Sequence, residues 1–217
     1  RYSAMIISAP DSADLLQAAS WSVTDSLPYD STYLDGKFGA WLEGNAVVTP
    51  DGNVADLLRV DYAPGPEYAA LIRLRDSVSF DPFDPEKDFV RMPGGAKKFT
   101  VRYDSLSGRY WSLVNYVTQE WAGKQNPAWV RNTLALSSSP NLQEWTVHRT
   151  VLHHPDIAKH GFQYADWLFD GNDIVLLSRT AYDDNGTGAH NCHDANYMTF
   201  HRIKDFRKAL TEQAGNR

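Results

Sequence analysis

A single cysteine, Cys192, excludes an internal disulfide and any cluster of metal-bound thiolates. No stretch approaches the roughly 18 consecutive apolar residues of a membrane-crossing helix, and nothing reads as a secretory leader. Basic residues are outnumbered, 21 Lys and Arg against 27 Asp and Glu, and the net charge of −6 lacks the cationic face that nucleic acid or an anionic membrane requires. The one Gly-rich basic stretch, Pro93-Gly94-Gly95-Ala96-Lys97-Lys98, lacks the strand-loop-helix frame and the closing Ser or Thr of a phosphate loop. No cofactor is expected. His190, His193 and Asp194 offer nitrogen and oxygen ligands, but an i, i+3 pair in a Gly-rich loop makes weak metal spacing, and no metal is expected either.

What the chain has in quantity is turns and rings. Its 14 Gly, 11 Pro, 7 Trp and 11 Tyr point to many short strands, with Trp in a β core or on a sugar-binding surface. Hairpins flank three turns: residues 45–49 and 54–60 around Asp51-Gly52-Asn53, 98–103 and 110–116 around 104–108, and 164–169 and 174–177 around Asp170-Gly171-Asn172. Gly and Asn supply the positive φ such turns need. Further strands are expected at 69–74, 77–80, 133–137, 145–149 and 195–202. A phrase of strand, Ser-x-Pro turn and Trp-led strand near Pro10 and Trp21 returns near Pro140 and Trp145.

Four-stranded antiparallel units in series predict an all-β β-propeller. The expected division of the single 1–217 unit is a half blade at 1–26, blades at about 40–81, 90–150 and 160–203, and a short C-terminal surface helix at about 204–213. The turn spacing also admits a β-sandwich. Three and a half blades do not close a ring, and residues 2–7 read as the middle of a strand. The chain is therefore expected to be the carboxy-terminal part of a five- to seven-bladed ring, closed by N-terminal blades or by a partner chain.

In a propeller, the connection into a blade's first strand and that between its second and third strands share one face. This rule gathers Glu43 and Asn45, Lys97 and Lys98, and His160, Gln163 and Tyr164 with Arg59 and Asp61, Asn115, and Arg179, Tyr182, His190, His193 and Asp194. Glu43 with Asp61 or Asp194 supplies the carboxylate pair of a glycoside hydrolase. Arg59, Arg179 and Lys97 suit an acidic sugar. His160 or His193 with Tyr164 or Tyr182 suits proton abstraction beside a uronate carboxylate, which is lyase chemistry. A non-catalytic glycan-binding propeller is the third reading.

The segments WLEGNAVVTPDGN (41–53), MPGGAKKFTVRYD (92–104), RNTLALSSSPNLQEWTV (131–147), HGFQYADWLFDGNDI (160–174) and HDANYMTFHRIKDFR (193–207) resemble the carboxy-terminal half of sialidase-superfamily proteins. Among these they are most similar to exported propellers of polysaccharide-degrading bacteria. The resemblance covers nearly the whole chain. Residues 138–146 are similar to an Asp-box, with Asn141 in place of the Asp and no following Gly. The resemblance implies a periplasmic or extracellular carbohydrate-active protein, an arginine triad, an acid Asp and a tyrosine-glutamate nucleophile pair. Arg59 and Arg179 are the arginine candidates, and Tyr164 or Tyr182 the tyrosine.

Overall fold

The computed structural model describes residues 2–62, 65–183, 186 and 188–212. Its strands form four antiparallel sheets in chain order. Strands β1 (Ile7–Ser8) and β2 (Ser22–Val23) make a two-stranded ribbon. Strands β3 (Phe38–Val48), β4 (Val54–Tyr62), β5 (Tyr68–Arg73) and β6 (Phe89–Arg91) make the first full sheet. The second holds β7 (Val101–Asp104), β8 (Arg109–Asn115), β9 (Thr133–Ser139) and β10 (Thr146–His153). The third, with three strands among the described residues, holds β11 (Gly161–Asp170), β12 (Asp173–Ala181) and β13 (Tyr197–Ile203).

The sheets stack face against face, because alternate residues on a strand point to opposite neighbours. On β4, Leu58 and Val60 pack with Phe38, Trp41 and Ala4 on the N-terminal side, while Leu57 packs with Val101, Val114 and Ala135 of the second sheet. On β8, Val114 faces back to the first sheet, and Trp111 and Leu113 face Trp167, Ile174 and Leu176 of the third. A middle sheet buried on both faces is what a propeller blade requires. Trp41, Trp111 and Trp167 are each almost wholly buried. Their indole N–H groups donate to Pro28 O, Ser107 Oγ and Thr100 O at 3.0 to 3.1 Å, so three large apolar surfaces enter the core without an orphaned donor.

One strand expectation is corrected. Residues 77–80 do not form the fourth strand of the first sheet; they make one bridge, Leu74 with Phe80, and the fourth strand is Phe89–Arg91. Asp76 explains the difference, since its carboxylate accepts from Val78 N and Ser79 and closes a local turn in place of a ladder. The short C-terminal helix expected at about 204–213 is present as a 3₁₀ turn, Phe206–Lys208, running into one α turn, Ala209–Glu212, with residue 213 outside the described residues. Phe206 is fully buried against Trp111 and Phe169, and Arg207 makes a double hydrogen bond to Asp104, which pins the tail across the second and third sheets.

The repeated Trp phrase has a shared geometry. Asn141 Oδ1 accepts from Gln143 N, and Trp145 Nε1 donates to Leu142 O; Asp14 Oδ1 accepts from Leu16 N, and Trp21 Nε1 donates to Leu15 O. Asn141 thus closes the same side-chain turn as an Asp does. No helix among the described residues is long and apolar enough to cross a membrane.

Candidate functional site

Two β-bulges build the centre of the site. One lies in β3 between Trp41 and Gly44 and carries Glu43; the other lies in β11 between Gln163 and Asp166 and carries Tyr164, whose φ is 50°. A bulge breaks the two-residue alternation and re-aims a side chain. A left-handed backbone at a bulky residue costs on the order of 1 kcal/mol or more, and it persists where surrounding structure over-determines it. The Tyr164 hydroxyl lies 3.4 Å from Glu43 Oε1, and Arg59 Nη1 lies 3.1 Å from Glu43 Oε2.

Three guanidinium groups surround this pair, each anchored to the backbone. Arg59 Nε donates to Ala96 O at 2.9 Å, Arg131 Nε to Ala128 O at 2.9 Å, and Arg179 Nη2 to His193 O at 2.6 Å. Arg131 Nη1 also donates to Gln163 Oε1 at 2.7 Å. The Arg179 guanidinium lies 5.0 Å from the centroid of the Tyr164 ring, in cation-π range. Arg131 is 4% exposed; its burial and the nearby charge of Arg59 push its pKa down, with Arg179 adding to the effect. Clustered like charges of this kind are costly unless an anion answers them, and each of the three keeps N–H groups unengaged among the described residues.

Further residues fix these groups. Gln163 is fully buried, and its Nε2 donates to Cys192 O and His193 O, which holds the 192–194 loop against β11. Gly161 permits that approach, since a Cβ there would lie 2.4 Å from Cys192 O. His193 pairs with Asp194 at 3.1 Å, and this bond, with one from Asn191, pulls the Asp194 carboxyl below its usual range. The exposed Trp129 stands edge-on to His193 at 6.4 Å, offering a ring face at the rim. A depression of about 470 Å³ opens beside Glu43 and Arg59, with Tyr2 and Ser3 on its wall.

The structure therefore brings together Glu43, Arg59, Gln163, Tyr164, Arg179, His193 and Asp194. Asp61 is exposed at the end of β4 and shares Arg59's face by strand alternation. Asn45 spends its amide on both backbone groups of Val101, and Asn115 donates to Arg131 O and Phe162 O, so both staple neighbouring sheets. Lys97 is fully buried on Glu67, and burial pushes its pKa down. Lys98 donates to Phe99 O. His190 is exposed. The sequence reading misses Arg131, two residues before β9, and Glu67, just before β5, because in the first two sheets it takes residues only from the start of the connection between the second and third strands, and both lie at its end.

His160 and Tyr182 form a second cluster. His160 Nδ1 bonds Asp156 Oδ2 at 2.7 Å, its Nε2 accepts from Asp183 N at 3.3 Å, and its ring stacks on His154 at 3.5 Å. Tyr182 meets the His160 ring edge-on at 4.8 Å. His154, Asp156 and His160 bring candidate metal ligands within 4.8 Å of one another. The fit is poor: both His160 nitrogens are already bonded, and stacked rings 15° from parallel aim their lone pairs alongside each other instead of at a shared ion. Cys192 is buried with Sγ on Trp129 O, and burial pushes its thiol up, away from nucleophile chemistry.

No protein-family model and no curated protein sequence matches the chain. Solved structures do. A leech intramolecular trans-sialidase complexed with 2,7-anhydro-Neu5Ac superposes with a TM-score of 0.50 at 15% identity over 90% of this chain and 27% of its own. An N-acetylgalactosamine deacetylase from F. plautii, in complex with blood group B trisaccharide, gives 0.50 at 12% identity over 92% and 57%. The Fusarium graminearum α-L-arabinofuranosidase, with an iminosugar inhibitor, gives 0.49 at 9% identity over 82% and 48%. The fold is that of a sialidase-like β-propeller. The chain spans between about a quarter and just over half of the length of these structures. Within this sialidase-like propeller, the Glu43, Tyr164 and arginine cluster lies at the bulged inner strands β3 and β11, with the loop that precedes β9 supplying Arg131.

Proposed function

We propose that this propeller carries part of a glycosidase site for a carboxylate-bearing sugar, with Tyr164 as nucleophile and Glu43 as its base. The observation that carries the reading is the 3.4 Å contact between the Tyr164 hydroxyl and Glu43, set among Arg59, Arg131 and Arg179. A carboxylate nucleophile would be repelled by an acidic substrate, whereas a phenol approaches it neutral; sialidases use a Tyr in this role. The Tyr164 oxygen bonds to the anomeric carbon as its proton passes to Glu43, and the bond to the leaving oxygen breaks. Water then attacks the anomeric carbon and gives up a proton to the carboxylate that protonated the leaving group, or to solvent where an aryl leaving group departs unprotonated; the bond to Tyr164 breaks, and Glu43 returns its proton to the phenol. Asp194, exposed beside His193, and Asp61, exposed at the end of β4, are the candidates for protonating a poor leaving group. The substrate carboxylate takes the unengaged guanidinium N–H groups, for which paired planar donors are well matched.

His160 is a poor base, with both ring nitrogens bonded and the residue 7% exposed, which weakens a lyase built on it. His193, edge-on to Tyr164 at 6.4 Å, keeps a lyase as the second reading. The test is a panel of fluorogenic 4-methylumbelliferyl glycosides of acidic and neutral sugars, whose leaving group needs little acid assistance. Release from acidic members, lost in Tyr164→Phe, supports the hydrolase. Uronate-containing polysaccharides, whose C4-linked sugar is the group a β-elimination expels, are tested beside the panel, and an unsaturated ultraviolet-absorbing product from them instead establishes the lyase. Saturable sugar binding without turnover of any member leaves a glycan-binding propeller.

A further inference from the structure

A second cavity, of about 470 Å³, lies between the first and second sheets, and no residue that lines it also lines the depression beside Glu43. Its roof comes from the β4–β5 and β8–β9 connections, and its apolar walls include Met92, Pro127, Tyr116 and Trp145. The Trp145 indole is fixed by its bond to Leu142 O, so this wall is preformed. A concave, largely apolar space of this size with one or two polar groups is the usual form of a small-molecule site.

Two charged residues line it, and they differ in availability. The Glu67 carboxylate is already spent: one oxygen is on Lys97 Nζ, and the other accepts from Gly94 N at 2.9 Å. Arg91 is exposed at the rim with its guanidinium 6.0 Å from the Tyr68 ring centroid, and it has no carboxylate partner among the described residues. The cavity therefore presents ring-matching walls and one unanswered positive charge.

We propose that this cavity is a separate binding site for a small aromatic carboxylate, its ring against Tyr116, Trp145 and Met92 and its carboxylate on Arg91. Aromatic faces and an Arg fork supply complementary recognition of such a ligand. The site is independent of the glycosidase reading, because it uses none of that reading's residues.

The experiment titrates 4-nitrobenzoate into the protein by calorimetry, with benzyl alcohol and acetate as probes lacking the charge and the ring. Saturable binding of 4-nitrobenzoate is expected, weakened about tenfold or more by Arg91→Gln, as loss of a charge-assisted contact implies. Ala122→Trp, which fills the cavity from an exposed position, is expected to abolish it, and Glu43→Gln to leave it unchanged. Absence of saturable binding overturns the proposal, as does binding that survives both cavity variants or disappears in Glu43→Gln. Benzyl alcohol binding as tightly as 4-nitrobenzoate overturns the role of Arg91. Melting curves of Arg91→Gln, an exposed change, verify that any loss is not unfolding.

Discussion

Tyr164 and Glu43 lie 121 residues apart in the chain, and the hydroxyl of one is 3.4 Å from the carboxylate of the other. Each sits in a bulge, and Tyr164 holds a left-handed backbone. With Tyr164 as the proposed nucleophile, strain of this kind is expected to separate stability from activity. Tyr164→Phe is expected to leave the melting temperature nearly unchanged and to lower turnover of an acidic aryl glycoside by about 10²–10⁴-fold. Tyr164→Gly is expected to be equally inactive yet to relieve about 1 kcal/mol of backbone strain, offset by the lost ring contacts. Parallel denaturation and rate measurements check both, and a fully active Tyr164→Phe would remove Tyr164 from the mechanism.

Arg131 is the arginine whose environment is least able to accept another side chain. Arg131→Lys keeps the charge but loses the planar fork that reaches Ala128 O and Gln163 together. The expected result is KM raised at least about tenfold for a sugar carboxylate, with little change for its methyl ester. Equal losses on both substrates would assign Arg131 to structure alone.

Asp104 ties the tail to the second sheet. Burial on its own raises this carboxyl, but the two hydrogen bonds from Arg207 and those from Ser107 outweigh it and bring it to about 2, below the usual 3.8. A depressed carboxyl contributes stability that is complete above its unfolded value and lost as pH falls through the folded one. Packing of Phe206 on Trp111 is therefore expected to hold down to pH of about 4 and to loosen toward 2, followed by Trp fluorescence. Asp104→Asn is expected to cost about 2 kcal/mol at neutral pH and to remove this acid transition.

Asp56 acts in the opposite direction. Burial raises its carboxyl to about 6, against the partial relief of Lys98, and Gly44 alone leaves room for it, since a Cβ there would lie 2.4 Å from Asp56 Oδ2. The fold favours the neutral acid, so the penalty is absent below pH of about 4 and complete above about 6. Asp56→Asn is expected to stabilise the protein by about 2 kcal/mol at pH 7 and to flatten stability between pH 4 and 6. Urea denaturation across that range checks it; an unchanged slope would mean that Asp56 titrates as an exposed carboxyl.

Hairpin turns at Gly52, Gly108 and Gly171 were legible because positive φ is a local demand that few residues meet, and the strands around them alternate in the period of two. Misplacing the fourth strand of the first sheet has the same local origin. Residues 77–80 have strand-like composition, and it is the Asp76 carboxylate that turns them out of the ladder. Glu43, Arg59, Tyr164 and Arg179, which the connection rule of the propeller gathers, lie together in the structure. Asn45, Asn115 and Lys97 obeyed the same rule and are spent on the fold, because sequence position does not reveal which side-chain partners are already taken.

The sequence by itself determined the strand-and-turn rhythm, the succession of antiparallel sheets and the polar residues at their inner ends. All three follow from local sterics and alternation. Only the tertiary structure decided which of those residues meet. It selected Tyr164 over Tyr182 as the partner of Glu43, added Arg131, and closed His160 into a bonded cluster of its own. The physical reason is the bulge: one extra residue in β3 and in β11 rotates a side chain off its strand's alternation, and that rotation depends on packing between blades distant in sequence.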